Sequence, residues 1–492
     1  MELKRIYTFA LLFLSISVLS YGQTDIQFRF NKDGQFKVAQ FTDIHWDNNS
    51  PNCTETIATI NHVLATEKPD IAILTGDVVT EKPAKEGWMA IAKIFEEARI
   101  PWCALLGNHD AELGYTRREV FAMLEGLPYY VGENGPENIT GSGNYVIPVL
   151  GSNSGSTAAL LYGIDSNDYP TNPKNGHYDW IHADQINWFR QKGKESVVEN
   201  GKSLPSLVFF HIPVPEFENI VGKETTIGIK EEGVASPEIN SGFFCAMLEQ
   251  GSVMGAFVGH DHDNDYIGLY HDIALGFGRT TGSDAYGKLE RGSRIITLYE
   301  NRNKFDTWIR TKKGTEFKYY YPSGLSEADE LTMEYMPALQ NPKKKQQGVA
   351  YTYYEGGRMK KIADIATKAK VKKNGIINNF VLTPAVAKDS FAFEYKTLLD
   401  VPERGVYRFY TNSDDGSQLF IDGKLIVDND GSHNSRRMDG KVALEKGLHE
   451  IKVIYFEDYM GELLEVGWSS REIEEQLIPD NRLFVPQDKK QK

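Results

Sequence analysis

The chain has 492 residues, more than one ordinary domain needs, so two or three domains are expected. Hydrophobic residues make up 41% of it and aromatic residues 12%, which excludes a globally disordered chain. The formal net charge of −14 argues against duplex nucleic acid as a partner, because phosphate backbones attract basic surfaces.

Residues 1–22 have the pattern of a secretory signal peptide. Lys4 and Arg5 form the charged start, an apolar run follows, and Ser20-Tyr21-Gly22 is a small-x-small cleavage site. The apolar run is short for a bilayer span of about 20 residues, so a membrane anchor is the less favoured alternative. No cysteine follows the run closely, as a lipoprotein would require. We expect a secreted or periplasmic protein whose mature chain has no membrane span.

Three cysteines, Cys53, Cys103 and Cys245, are few for an exported protein and odd in number. One pair could form a disulfide, but three buried free thiols explain the number at least as well. The fold is therefore not expected to depend on disulfides.

Segment 23–336 alternates short apolar runs with amphipathic stretches, which predicts an α/β domain with largely buried strands. The predicted strands are 36–41, 71–74, 102–106, 158–164, 207–210 and 255–258. The predicted helices are 54–68, 84–98, 116–124, 183–192 and 242–249.

The pattern changes near residue 337. Segment 337–347 is rich in proline and lysine and is predicted to be a solvated linker. Segment 348–484 shows alternating strands with the turn pairs Asp415-Gly416 and Asp422-Gly423, which indicate hairpins in an all-β sandwich. Residues 485–492 form a polar tail.

Potential metal ligands directly follow five of the predicted strands. They are Asp43 and His45 after the first strand, Asp77 after the second, Asn108 and His109 after the third, His211 after the fifth, and His260 and His262 after the sixth. A single Asp or His in such a place is usually a cap or a turn residue. Because ligands bind at the carboxyl ends of strands in open α/β sheets, the joint pattern predicts one shared site.

The stretch GHDHDND, residues 259–265, has two interpretations. Its alternating acids Asp261, Asp263 and Asp265 resemble the start of a calcium loop, whereas His260 and His262 suit a transition metal. A calcium loop would have Gly after its third acid, where Tyr266 stands, and the other motifs supply histidines and an asparagine. The transition-metal interpretation is therefore favoured.

These motifs resemble, in order and unbroken, the signature of the calcineurin-like metallophosphoesterases: D-x-H, G-D, G-N-H-[DE], a lone His and G-H-x-H. The resemblance covers about residues 34–300 and is closest to the purple acid phosphatase-like branch. It implies an α/β/β/α sandwich. Thr80 stands where purple enzymes have a metal-binding Tyr, so the purple colour is not expected.

The resemblance also implies a dinuclear centre of manganese, iron or zinc. Asp43, His45, Asp77 and His262 would hold one ion; Asp77, Asn108, His211 and His260 would hold the other, with Asp77 bridging. A metal-bound hydroxide would attack phosphorus in a phosphate ester. His109 would stabilise the transition state or protonate the leaving group, and Asp110 would either orient its ring or cap a helix. Arg279 would either contact substrate phosphate or form a surface salt bridge.

Segment 348–484 resembles the protective-antigen-type β-sandwich through Tyr351–Gly356, Gly405–Phe409, Ser413–Ser417, Phe420–Lys424 and Gly447–Ile451. The resemblance implies carbohydrate binding, in some members through calcium held by paired aspartates. Asp414 and Asp415 could hold calcium, although Asp-Asp-Gly is also an ordinary tight turn. The aromatic residues Tyr407, Phe409, Tyr455 and Phe456 are expected in the core.

The favoured function is an exported phosphomonoesterase that acts on a phosphorylated small molecule or glycan and is targeted to a glycan surface. A phosphodiesterase or nucleotide hydrolase would use the same ligands and stays an alternative. A carbohydrate-binding or adhesive protein with an inactive catalytic domain is the alternative from another class. Decay of the catalytic domain should remove a ligand, and all seven are present.

Overall fold

A computed structural model describes residues 26–340 and 344–487, so the predicted signal peptide lies outside the described residues. The first part of the chain contains two seven-stranded sheets. The strands are β1 Phe28–Arg29, β2 Gln35–Phe41, β3 Ile71–Thr75, β4 Trp102–Leu105, β5 Tyr145–Leu150, β6 Thr157–Gly163, β7 Ser206–Phe209, β8 Val253–Val258, β9 Ile267–Tyr270, β10 Ile273–Phe277, β11 Gly292–Tyr299, β12 Phe305–Thr311, β13 Gly314–Tyr321 and β14 Leu325–Ser326.

The same part of the chain contains α-helices, the first of which packs on β2, β11 and β12. They are α1 Cys53–Glu67, α2 Ala84–Ala98, α3 Arg117–Leu124, α4 Ala183–Asn200, α5 Phe243–Gln250 and α6 Glu327–Thr332. The sheet orders are β1-β5-β6-β7-β8-β10-β9 and β14-β13-β12-β11-β2-β3-β4. One hydrophobic core joins Phe41 of the second sheet to Phe209 and Phe257 of the first. A second core buries Phe189 of α4 and Phe243 of α5 against the first sheet. The layers are therefore α/β/β/α, as expected.

The parallel strands of both sheets bring the predicted ligands to one edge. β2, β3 and β4 run parallel in one sheet, and β7 and β8 run parallel in the other. The predicted strands all correspond to observed ones, but they belong to two packed sheets and not to a single open sheet. The centre is therefore built between the sheets.

The second part of the chain is β-rich. Its strands are β15 Tyr335–Met336, β16 Lys345–Gln347, β17 Val349–Gly356, β18 Ala369–Ile377, β19 Phe391–Val401, β20 Gly405–Asp414, β21 Ser417–Ile421, β22 Lys424–Asn429, β23 Arg436–Leu444, β24 Gly447–Glu457, β25 Leu463–Ser470, β26 Gln476–Leu477 and β27 Leu483–Pro486, with a short helix α7 at Ile365–Lys368. One sheet has the order β15-β23-β20-β25-β26, and the other is built on β16-β27-β19-β24-β21-β22 with β17 and β18. Tyr407, Phe409, Tyr455 and Phe456 are buried, which confirms the expectation that they belong to the core.

The two Asp-Gly pairs behave differently. Asp422-Gly423 joins the antiparallel neighbours β21 and β22, and both of its residues have positive φ, as a tight hairpin turn requires. The prediction of a hairpin at Asp415-Gly416 is wrong, because β20 and β21 lie in different sheets. The Asp415 carboxylate accepts hydrogen bonds from Ser432, His433 and Asp458, which hold the chain as it crosses between sheets.

Contacts join the two parts of the chain. β15, which falls within the predicted domain 23–336, runs parallel to β23, and β16, within the segment predicted as a linker, pairs with β27. Lys441 Nζ lies 3.1 Å from an Asp329 carboxylate oxygen, and an Arg471 guanidinium nitrogen lies 3.2 Å from Asp306 Oδ2. The three cysteines are free, but the expectation of three buried thiols is wrong, because Cys103 is buried, Cys53 is partly buried and Cys245 is exposed. Within residues 26–340 and 344–487, no helix is both long and apolar enough to span a bilayer.

The Asp422-Gly423 turn allows a stability test. Gly423 has φ +81° and open space around its α-carbon, so a β-carbon there costs backbone strain without a clash. We expect Gly423→Ala to lower the free energy of unfolding by about 1–2 kcal/mol in chemical denaturation. Gly423→Asn should cost less, because Asn tolerates the left-handed region. Gly357→Ala, at an equally open glycine without positive φ, should not destabilise the protein.

Candidate metal centre

The first group of potential ligands contains Asp43, His45 and His262. His262 Nε2 lies 3.3 Å from Asp43 Oδ1, and both side chains are almost fully buried. The hydroxyl of Thr42 donates to Asp43 Oδ2 at 2.8 Å and fixes the carboxylate. His262 Nδ1 lies 3.2 Å from the carbonyl oxygen of Tyr286. Because that carbonyl accepts the Nδ1 proton, Nε2 is left to face Asp43.

The second group contains Asp77, His211 and His260. His211 Nε2 lies 3.2 Å from Asp77 Oδ2 and 3.3 Å from His260 Nδ1. His211 Nδ1 lies 2.8 Å from the Thr75 carbonyl oxygen, which fixes the ring with Nε2 towards the group. Each group thus combines ligands that follow strands of both sheets.

Asp77 connects the two groups. Its Oδ2 is 3.2 Å from His211 Nε2 in the second group and 3.8 Å from His45 Nε2 in the first. Its Oδ1 accepts the backbone amide of His109 at 3.0 Å. A single carboxylate placed between two ligand groups is suited to bridge two ions.

Backbone conformation directs these side chains into the crevice. Four of the ligands have positive φ angles, which residues other than glycine rarely adopt. The φ values are 50° for Asp43, 46° for His45, 48° for Asp77 and 77° for His260. Such conformations cost free energy and concentrate at functional sites. A β-carbon on Gly107 would overlap the Asp77 carboxylate, which explains glycine before Asn108.

The donor set fits transition metals. His45 Nε2, Asn108 Oδ1 and His260 Nε2 are buried and have no hydrogen-bond partner among the described residues. Buried polar atoms are almost always satisfied, so three such atoms at one crevice fit the role of metal ligands. Imidazole, carboxylate and amide donors together suit manganese, iron or zinc.

Burial and the charge of Asp77 determine the protonation states of the ligand side chains. Burial lowers the pKa of His45 to about 4 and that of His260 to about 3, so both rings are neutral near pH 7. Burial alone would raise the pKa of Asp77, but His211 holds this carboxyl well below its usual range. Desolvation would lower the pKa of His211, yet the Asp77 charge raises it to about 9. Neutral imidazoles and an ionised carboxylate are the forms that bind metals, so His45, His260 and Asp77 are ready to bind, whereas His211 would release its proton when an ion binds.

His109 is oriented by Glu112, which sequence reasoning missed. His109 Nδ1 lies 2.8 Å from Glu112 Oε2, so Nε2 remains free for a reacting group. The Tyr169 hydroxyl donates to Glu112 Oε1 at 3.1 Å and accepts from Asn108 Nδ2 at 3.1 Å. One chain of hydrogen bonds therefore sets both the imidazole of His109 and the amide of Asn108, whose Oδ1 is directed away from Tyr169.

Asp110 has a different place from the one predicted. Its carboxylate accepts the backbone amides of Val78, Val79 and Gly107 at 2.8–3.0 Å and makes no contact with the His109 ring. It therefore braces the loops that carry Asp77 and Asn108. Burial and the Asp77 charge raise the pKa of Asp110 to about 6.

The structure does not bring Arg279 to the open side of the centre. Its guanidinium is buried and bonds Asp265, Glu316 and the carbonyl of Glu290, so the predicted phosphate contact lacks an accessible group. The pair with Asp265 is buried on both sides, in contrast to a surface salt bridge, whereas Glu316 is partly exposed.

The three acids of residues 259–265 hold separate segments in place. Asp261 accepts a hydrogen bond from the amide of Ala235, Asp263 from that of Lys288, and Asp265 from that of Ile229. They do not converge as calcium ligands would.

Aromatic side chains border the centre. Tyr286 stacks on His262 with ring centroids 3.9 Å apart, and its hydroxyl donates to Glu232 at 3.0 Å. Tyr178 meets His260 edge-on at 4.5 Å and lies next to Tyr169. Tyrosines and carboxylates thus frame the opening.

A third acidic group lies in the second part of the chain. Asp414, Asp415 and Glu457 converge, and Glu457 Oε1 is buried without a hydrogen-bond partner among the described residues. Burial and the Asp415 charge raise the pKa of Glu457 to about 8. An oxygen-only donor set with uncompensated negative charge suits a hard cation such as calcium.

Comparisons with known proteins agree with this architecture. The calcineurin-like phosphoesterase family model matches residues 36–264, and the PA14 domain model matches residues 345–482. "Probable inactive purple acid phosphatase 29" of Arabidopsis thaliana is 34% identical over 335 residues, which cover 61% of this chain and 86% of that protein. "Probable inactive purple acid phosphatase 14" of the same plant is 31% identical over 331 residues, covering 60% and 82%.

A yeast protein is also similar to this chain. "Phosphatase DCR2" of Saccharomyces cerevisiae is 31% identical over 316 residues, which cover 56% of this chain and 54% of that protein. The chain therefore belongs to the calcineurin-like phosphoesterase family, with purple acid phosphatase-like relatives, and carries a carbohydrate-binding PA14 domain.

Proposed function

We propose that the protein is an exported, metal-dependent phosphatase that hydrolyses phosphate monoesters and is held at a glycan surface by its PA14 domain. The observation that carries the catalytic part is the pair of ligand groups joined by Asp77, in which three buried ligand atoms have no hydrogen-bond partner among the described residues. Three of the relatives carry "inactive" in their names. The complete ligand set of this chain supports activity here.

The ligand groups define where two ions would be held. Asp43, His45 and His262 would hold one, and Asn108, His211 and His260 the other, with Asp77 shared. Two such ions lower the pKa of bound water and neutralise charge that develops on a phosphoryl group.

His109 supplies the proton transfer that an alcohol leaving group needs. Because Nδ1 is engaged by Glu112, the free Nε2 can donate a proton to the ester oxygen as the bond to phosphorus breaks. The Glu112 carboxylate holds the orientation of the ring. The Tyr169 hydroxyl bonds both Glu112 and Asn108. The ring of His109, which is held by Glu112, and the ligand amide of Asn108 are therefore positioned together.

The PA14 domain supports the targeting part of the proposal. Asp414, Asp415 and Glu457 would hold calcium, through which sugar hydroxyls are bound. Export follows from the signal-like residues 1–22 and is checked by N-terminal sequencing of secreted protein, which should begin at Gln23.

The first prediction concerns the shared carboxylate. Asp77→Asn should lower bound metal and kcat/KM by at least about 100-fold, because one substitution weakens both ligand groups. Metal content is measured by elemental analysis, and activity with a panel of phosphomonoesters and phosphodiesters supplemented with manganese, iron or zinc. The exposed variant Asp33→Asn is the control. Full activity in Asp77→Asn, or no metal-dependent hydrolysis of any ester by the native chain, would refute the proposal. A preference for diesters would assign the alternative activity.

The second prediction concerns leaving-group protonation. Glu112→Gln should lower kcat about tenfold for alkyl phosphates, which need a proton on the leaving oxygen, and much less for nitrophenyl phosphate. KM and metal content should stay unchanged. The control is Glu199→Gln, at an exposed carboxylate on α4.

A double variant separates positioning from folding. If Glu112 acts through His109, Glu112→Gln should have no further effect on alkyl phosphates in a His109→Ala background. An equal loss for alkyl and nitrophenyl esters, or additive losses in the double variant, would contradict this role.

The third prediction concerns the acidic group of the PA14 domain. Asp415→Asn should abolish calcium binding in isothermal titration and calcium-dependent retention on neutral polysaccharides, because it removes one of three converging carboxylates. Phosphatase activity on soluble monoesters should not change. Unaltered calcium affinity in this variant would exclude the site.

A further inference from the structure

One segment of the PA14 domain has a charge opposite to that of the whole chain. Segment 358–373 contains seven basic residues and one acidic residue, a net charge of +6 in a chain of net charge −14. All seven basic side chains are exposed. We call 358–373 the basic segment.

The basic segment ends in an exposed edge strand. β18 pairs with β17 alone among the described strands, and Lys370, Lys372 and Lys373 lie along it. Lys372 Nζ is 3.7 Å from Glu355, whereas Lys370 and Lys373 have no carboxylate within 4.0 Å in the described parts of the chain. Charge on this edge therefore remains largely uncompensated.

The segment begins beside the acidic group of Asp414, Asp415 and Glu457. Arg358 and Lys360 both bind the Asp458 carboxylate, at 2.7 and 2.6 Å, and each side chain is 60% exposed. Asp458 donates its backbone amide to Asp415 Oδ2 at 2.8 Å. The two cations outnumber the single Asp458 carboxylate, so a net positive charge remains next to Glu457 of the proposed calcium site.

An exposed ring completes this surface. The guanidinium carbon of Arg358 lies 5.2 Å from the ring centroid of Tyr459, which is 54% exposed. A tyrosine face can pack against a sugar ring, while the adjacent guanidinium can pair with a carboxylate or sulfate on the same polymer.

We propose that the basic segment binds acidic polysaccharides, whose carboxylate or sulfate groups follow the cations from Arg358 along β18 to Lys373. This inference rests on the proposed glycan-binding role of the PA14 domain and adds the charge of the glycan. The chain as a whole repels polyanions, so the segment confers binding only where sugar recognition and local positive charge coincide. Repeated anionic units engage several lysines at once, which strengthens binding without a deep pocket.

The test compares two triple variants of the full-length, metal-loaded protein. The first is Lys370→Gln/Lys372→Gln/Lys373→Gln. The matched control removes three exposed lysines of the phosphoesterase domain, Lys85→Gln/Lys194→Gln/Lys202→Gln, and so changes net charge equally. Thermal unfolding and size-exclusion chromatography show whether each variant folds and remains monodisperse.

Binding is measured by affinity electrophoresis in polygalacturonate, chondroitin sulfate and neutral dextran. We expect the native protein to be retarded by the acidic polymers, and more strongly at low salt. The β18 variant should lose at least about tenfold in affinity for them, whereas the control should keep its affinity within about twofold. Phosphatase activity on small monoesters should be equal in all three proteins. The two acidic polymers distinguish carboxylate from sulfate recognition.

Several results would overturn the inference. They are equal affinity of the two triple variants, equal retardation by dextran and polygalacturonate, or equally tight binding to anionic vesicles or duplex DNA. Retention by dextran without preference for acidic polymers would refute this inference alone. Absence of retention by any polysaccharide would refute the glycan-binding role together with it. Loss of ester hydrolysis concerns only the metal centre.

Discussion

The structure of the metal centre depends on one buried charge, the carboxylate of Asp77. It lies at the end of β3 with a left-handed backbone and faces histidines from both ligand groups. A buried carboxylate is tolerated only when cations or donors surround it, so its neighbours are constrained in turn. Gly107 leaves room for it, the amide of His109 bonds it, and Asp110 braces the adjacent loops through three amides. The same group that shapes the loops would hold the ions.

Much of this arrangement could be predicted from sequence because strand order fixes it. A residue that directly follows a parallel strand must lie at the end of the sheet where the carboxyl ends of the strands meet. Six of the seven predicted ligands therefore converge in two groups, and Asn108 adjoins them. Glu112 and Tyr169 could not be found in this way, because they are 57 residues apart and meet only through loop geometry. Arg279 stands in a family-like motif, but a single sequence does not show that Asp265 and Glu316 bury its guanidinium.

In the PA14 domain, the Asp-Gly pair alone does not predict whether a hairpin forms. Asp422-Gly423 and Asp415-Gly416 have the same residues between apolar strands, yet only the first closes a hairpin. The difference comes from distant partners: Ser432, His433 and Asp458 bind the Asp415 carboxylate and hold the crossing between sheets. Local propensity was sufficient for a turn exposed to solvent. It failed where a carboxylate organises residues that are far apart in sequence.

Ligands from two sheets have a mechanical consequence. Each metal group combines residues that follow β2 or β3 with residues that follow β7 or β8. A bound ion would therefore act as a reversible crosslink between the two halves of the phosphoesterase sandwich. Since the unfolded chain cannot present these donors together, folding stability would rise with free metal concentration. In a compartment poor in transition metals, the supply of ions would then govern how long the protein survives as well as how fast it works.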